Sequence, residues 1–348
     1  VGVTLALIVS EGQRWCRLHH LPFALFLLTL IAVALGGTVR IYDAGESCPD
    51  WPQCFGSWGF DISEEDQGIW YNETGEYDSD GSAKRYTTGE IFLEWIHRFV
   101  TGIILGPLCI LQWYFTFKRK ERMPSVYKAS SAALILVIAQ GAMGMLTVRY
   151  DNIAWSVAAH LVLAQALALA LLWAWIRWMD AEEVLPYWMN LQRKSAIQMR
   201  PRLYNLTLST LVVLVLGAFV SSSQGQNGAC SVGSLDAWPL CNGSLFASLM
   251  DNMQFVHRFA VVIVGAWLLW NLRGLERGTV RRLLQACIGL YILNLLLGGV
   301  YVLTATSGFI EILSLFHLLL ASASFLCIGF AALLARNAVL SPTLAEDD

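Results

Sequence analysis

Apolar residues in this chain run on continuously instead of alternating. Eight such runs, at roughly 20–39, 91–115, 129–148, 153–178, 204–222, 253–271, 282–303 and 311–336, are separated by polar or charged segments. A helix crosses a hydrocarbon core of about 30 Å with about 20 residues, so each run is long enough to span. In lipid the backbone has no water to bond to, and a continuous run satisfies its own N–H and C=O groups only as a helix. The pattern therefore predicts an all-α polytopic membrane protein with eight transmembrane helices. The apolar stretch Val1 to Ser10 is too short to span and has no basic flank of the secretory-signal kind.

The runs repeat in pairs. Glu94, Trp95, Ile96, His97, Arg98 and Phe99 read against Gln254, Phe255, Val256, His257, Arg258 and Phe259 at an offset of 160. His160, Leu161, Val162, Leu163 and Ala164 read against His317, Leu318, Leu319, Leu320 and Ala321 at an offset of 157, which also joins Gly141 and Thr147 to Gly298 and Thr304. Such self-similarity over successive segments predicts two pseudo-symmetric four-helix bundles, residues 1–180 and 181–348.

Composition and charge sharpen the picture. With 56% apolar and 14% charged residues, the chain has more apolar surface than one soluble core can hide. If both termini are cytoplasmic, 17 Lys and Arg residues fall in inner segments and four (Arg40, Lys84, Arg85 and Arg149) in outer loops. The positive-inside rule then orients the chain as a multi-pass membrane protein with both termini cytoplasmic; the expected location is a prokaryotic cell membrane, and no nucleic-acid partner is expected. Cys48 and Cys54 lie in the first outer loop, and Cys230 and Cys241 in the third, on an oxidising side where disulfides persist. Metal binding is the alternative for each pair, although neither loop supplies a histidine for a usual zinc set. The pairs correspond in the repeat: Gly36 and Gly37 precede Cys48 as Gly217 precedes Cys230, and Trp51, Pro52, Gln53, Cys54 match Trp238, Pro239, Leu240, Cys241. The first loop is much longer, and its acidic stretch Asp61 to Asp80 predicts a surface excursion with short local structure.

Four histidines stand alone on alternate spans: His97, His160, His257 and His317. Each lies six to eight residues past the polar residue that opens its run, hence about 9–12 Å deep at 1.5 Å per residue. One such histidine would most simply hydrogen-bond to a neighbouring helix. Four at one depth suggest two bis-histidine haem sites, because imidazole suits iron and polar groups at this depth mark functional interiors. His19 and His20 read as interfacial polar residues. Arg98 and Arg258 follow two of the histidines and are candidates for haem propionates or, alternatively, lipid phosphate. Glu94 breaks the symmetry, since its counterpart is the neutral Gln254. A carboxylate inside a span is costly unless paired, hydrated or used for proton transfer, which points to a reactive first pocket; a helix-capping role near Thr88 is the alternative. Gln140 and Asn294 read as helix-packing residues, and Trp51, Trp58, Trp113, Trp173, Trp175, Trp178 and Trp238 as an interfacial belt.

Together, Glu94, His97, Arg98, His160, His257, Arg258, His317 and the loop from Cys48 to Cys54 resemble the haem A synthase family over residues 20–336. The resemblance implies that His97 and His160 bracket the substrate haem O, that His257 and His317 hold a haem b cofactor, and that Glu94 is functionally important. The implied reaction oxidises the C8 methyl of haem O through hydroxymethyl and geminal diol stages to the formyl of haem A, using oxygen and external electrons. Implied partners are a membrane electron donor such as quinol or a reductase, haem O synthase, and cytochrome oxidase assembly proteins; homo-oligomerisation stays open. The longer, more acidic first loop and the wider second cysteine pair depart from the family pattern. Two other classes remain at this point: a diheme b-type quinol-linked electron carrier, and a haem-binding assembly factor without turnover.

Overall fold

The computed structural model describes residues 17–77, 81–223, 229–230, 232–234, 241, 248–305 and 310–341. These form an all-α protein with eight membrane-length helices. A 3-10 turn at Leu18–His20 leads into α1 (Leu21–Ile41), which has Pro22 in its first turn, where a missing N–H does no harm. A short helix α2 (Glu64–Thr74) lies in the first loop. It starts at a Ser63–Asp66 capping box and stops at Gly75 in a left-handed conformation. Then follow α3 (Thr88–Phe117), α4 (Pro124–Arg149), α5 (Ala154–Ala181), α6 (Arg193–Ser222), α7 (Leu249–Leu272), α8 (Thr279–Leu303) and α9 (Glu311–Leu340). All eight expected spans are present, most of them extended at one or both ends beyond their apolar runs.

Helix α3 is not uniform. Its first part, Thr88–Arg98, gives way to a π-helical stretch, Phe99–Leu105, before regular α-helix resumes at Gly106. Pro107 supplies the reason: it has no N–H for the Ile103 carbonyl, and its ring would crowd that carbonyl in a regular helix. The wider turn resolves this, with Gly106 N–H donating to Thr101 O five residues back.

Helix α1 packs on α3 and α5, and α4 sits between α3 and α5. Helix α6 packs on α7 and α9, α8 sits between α7 and α9, and the most buried spans, α5 and α9, pack on each other. Polar contacts inside this α5–α9 seam fix its register. Gln165 Nε2 donates to Ser322 Oγ at 3.0 Å, and Gly329 leaves room for Leu169, whose Cδ2 would lie 2.7 Å from an added Cβ. At the end away from the four histidines, buried Arg177 donates to Asn337 Oδ1 at 2.7 Å, Asp180 Oδ2 at 2.9 Å and Ser125 Oγ at 3.1 Å. A charge is tolerated there because its donors are satisfied. His19 differs from the interfacial expectation: it is buried, with Nδ1 2.6 Å from Glu182 Oε2, and so ties the start of α1 to the end of α5.

The first loop is ordered around its disulfide. Cys48, Cys54, Phe55, Tyr71, Tyr86 and Ile91 form a small core, and buried Gln67 clamps the Tyr86 backbone with bonds of 2.9 and 2.8 Å. The expected short local structure is α2. Asp78 to Asp80 of the acidic stretch, Trp238 and its neighbours before Cys241, and the apolar run Val1 to Ser10 lie outside the described residues.

Candidate functional site

One cavity of about 850 Å³ is lined by residues of all eight spans, and all four repeat-related histidines face it. His97 sits nine residues into α3, His160 six into α5, His257 eight into α7 and His317 six into α9, which keeps them within about one helical turn of a common depth.

Each ring rests on a glycine of the preceding membrane helix. A Cβ added at Gly36 would lie 3.1 Å from His97 Nε2, at Gly144 3.2 Å from His160 Cε1, at Gly217 3.0 Å from His257 Cε1, and at Gly298 3.0 Å from His317 Cε1. Only glycine lets the neighbouring backbone support an imidazole this closely. Gly36, Gly217 and Gly298 were visible in the sequence repeat, but Gly144 was missed. The sequence offset paired Gly141 with Gly298, whereas the seat is Gly144, so α4 and α8 correspond at an offset of 154. The same register matches Gln140 with Asn294, four residues before each glycine.

The donor set fits a porphyrin iron. Among the described residues no group of three or more His, Cys, Asp and Glu side chains gathers to hold a metal ion. A porphyrin brings its own four equatorial nitrogens and asks the protein for axial ligands alone. Nδ1 of His160, His257 and His317 is buried without a hydrogen-bond partner, which leaves that ring nitrogen uncommitted. Gln140 and Asn294, expected to pack helices, both line the cavity. The Gln140 amide nitrogen lies 3.3 Å from His160 Nε2. Tyr301, also missed, stacks on His317 at 6.2 Å between ring centroids with 17° between planes; its position three residues after Gly298, on the same helix face, was the available signal.

Glu94 is buried beside His97. Its Oε1 accepts from Arg98 Nε at 2.6 Å, and its Oε2 lies 3.9 Å from His97 Nδ1. The helix cap is made elsewhere, by a Thr87–Glu90 capping box, so Glu94 is not the cap. Arg98 directs three more N–H donors at the disulfide loop, with Nη1 to Asp50 O at 2.5 Å and Gln53 O at 2.7 Å, and Nη2 to Cys48 O at 2.8 Å. Three carbonyls thus hold the guanidinium that holds Glu94. In the other histidine-arginine pair, Arg258 Nη2 donates to Gln254 Oε1 at 3.2 Å. Both cysteine pairs are disulfides: Cys48 to Cys54 six residues apart, and Cys230 to Cys241 eleven apart. The second is tied to α7 through Cys230 N–H, which donates to Asp251 Oδ1 at 2.7 Å. Arg40, another cavity residue the sequence did not single out, reaches from α1 to Ser221 O on α6 at 3.2 Å.

The model of the cytochrome oxidase assembly protein family, COX15-CtaA, matches residues 19–329, a stretch that includes every one of these histidines. The chain belongs to this family. It is similar to the heme A synthase of Shewanella oneidensis, 28% identical over 238 residues that make up 67% of this chain and 63% of that protein. The heme A synthase of Listeria monocytogenes is 27% identical over 194 residues, 53% of this chain and 57% of its own length. That of Novosphingobium aromaticivorans is 26% identical over 273 residues, 71% and 73% respectively. The chain spans about three fifths of the length of the first two relatives.

Proposed function

We propose that this protein is a haem A synthase that oxidises the C8 methyl of haem O to the formyl of haem A with oxygen and external electrons. The observation that carries the reading is the set of four glycine-seated histidines around one cavity, with a buried carboxylate, Glu94, in contact with His97 and, among the described residues, none in contact with the other three. Family membership and the named relatives point the same way.

In this reading His97 and His160 hold the substrate, and His257 and His317 hold haem b, with Arg258 near its propionates. Haem b, when bound, supplies one-electron relay. Glu94 moves protons through Oε2, the oxygen that Arg98 Nε does not occupy. Arg98 keeps the carboxylate aimed at the His97 ring. It is therefore a positioning residue, with four of its five N–H groups held by Glu94 and the loop carbonyls.

The same reading places two four-helix halves, residues 1–180 and 181–348, about a pseudo-twofold axis through the α5–α9 seam. Support comes from Gln165 and Ser322, which are 157 apart in sequence and hydrogen-bond to each other, as equivalent residues beside an axis do. Both termini are assigned to the cytoplasm of a prokaryotic cell, with quinol or a reductase as electron donor and haem O synthase and oxidase assembly proteins as neighbours.

Incubation of the purified protein with haem O, reductant and oxygen, followed by chromatography and mass analysis of extracted haems, tests the reaction. Hydroxylated and formyl products are expected. A protein whose haems are reduced by quinol but which forms neither product is a diheme electron carrier; one that binds haem without reduction or product is an assembly factor.

A further inference from the structure

The cavity is much deeper on one side than its repeat partner allows. Helix α3 borders it down to Ile110, 13 residues past His97, whereas α7 borders it only to Val261, four past His257. At 1.5 Å per residue these depths are about 20 Å and about 6 Å. Helix α4 lines it from Leu134, ten residues before Gly144, and α8 from Tyr291, seven before Gly298. The remaining helices match: α1 and α6 line it from seven residues before their glycines, and α5 and α9 to seven past their histidines. The additional depth lies between α3 and α4.

Its cause is local. On the second side Tyr291 forms a floor: its hydroxyl donates to Val261 O at 2.9 Å, and its ring lies 3.2 Å from where a Cβ at Gly265 would sit. The matching residue on the first side is Val137. Leu295 and Val262 likewise answer to Gly141 and Gly102. A Cβ at Gly102 or Gly141 would meet no atom within 4 Å. The π-helical stretch, absent from α7, covers Gly102 and widens α3 directly below His97. Ile103, Ile110 and Ile138 line the cavity and are also about half exposed, so the groove opens sideways along the lipid-facing surface.

We propose that this α3–α4 groove is the subsite for the isoprenoid side chain of the substrate macrocycle, and that it selects haem O over haem b. The inference rests on the reading of His97 and His160 as the substrate site. A long flexible hydrocarbon chain fits an apolar groove that starts beneath the ring ligands and opens to lipid. Haem O carries a farnesyl-derived chain where haem b has a vinyl group. Because lipid is as apolar as the groove, selection comes from shape, and the filled second side offers no room for such a chain.

The test mirrors the second side on the first, with G141L copying Leu295 and V137Y copying Tyr291. Full-length protein in detergent is equilibrated with haem O or haem b, and the haem retained per protein is measured by extraction and chromatography, with the haem b spectrum of the second site as the fold control. Overfilling occupied space should weaken haem O binding about tenfold or more in either variant and leave haem b binding unchanged. Equal weakening of both haems, or none, in variants that keep the second-site spectrum overturns the proposal. Loss of co-purified phospholipid with haem O binding intact also overturns it and assigns the groove to an acyl chain. Wild-type protein that prefers haem O but forms no oxidised product defeats the enzyme reading and leaves the groove standing. An active enzyme indifferent to both substitutions defeats the groove alone.

Discussion

Around His97 the chain builds a carboxylate–guanidinium pair clamped by a disulfide loop, a π-helical stretch and a groove about 20 Å deep. Around His257 it builds an amide–guanidinium contact, a regular helix and a tyrosine floor. Both histidines sit on glycine at nearly the same distance. The comparison teaches that the ring seats are the shared scaffold and that the two halves have diverged in what surrounds them. Differences gather on α3 and α4, while the helices of the central seam, α5 and α9, keep matching roles.

The largest expected effect breaks the second site alone. H317A or H257A should abolish the low-spin bis-histidine spectrum of haem b while haem O still binds to the first site, as read by absorption and haem extraction. Loss of both haems together from a folded variant would mean that the two sites are not separable.

Next, R177A at the far end of the bundle should lower stability by about 3–5 kcal/mol, because it removes the charge partner of Asp180, which keeps only Ser341 Oγ among the described residues, and the donor to buried Asn337 Oδ1. Thermal unfolding in detergent reads this, with both haem spectra unchanged at low temperature. A haem shift in the folded variant would show that the far end does reach the sites.

The clamp should separate the halves more finely. R98Q frees Glu94 Oε1 and three loop carbonyls, and should lower turnover about tenfold or more with little change in haem b content. R258Q should instead alter the haem b midpoint potential. R98K should restore part of the activity lost in R98Q, because lysine keeps the charge but not the fork that reaches three carbonyls and a carboxylate. Equal effects of R98Q and R258Q on both readouts would erase the distinction.

The smallest effect is on the seats. G217A and G298A should each cost about 1–3 kcal/mol of stability and shift the haem b spectrum, since the ring must move a few tenths of an ångström. G141A, with open space around it, should do neither.

Much of this was legible in the sequence. Eight spans, both disulfides and the four histidines follow from run length, compartment and repetition, because lipid leaves the backbone few choices. The singular Glu94 was legible by comparison with Gln254. Its partner was not: Arg98 is held by carbonyls of Cys48, Asp50 and Gln53, and backbone acceptors leave no mark in side-chain identity. Gly144 was hidden because a three-residue shift between α4 and α8 favoured Gly141 in the letters. The π-helical stretch was signalled only by Pro107, and His19 looked interfacial because its partner Glu182 is 163 residues away.

The central claim is that the first site reacts and the second relays electrons, and E94Q tests it most directly when assayed beside Q254E with saturating reductant, oxygen and haem O. Glutamine keeps the hydrogen-bonding shape but cannot exchange a proton, so E94Q should retain both haem sites and lose about a hundredfold or more of haem A formation. Q254E should stay close to wild type. Wild-type product distribution and turnover in E94Q would contradict the account.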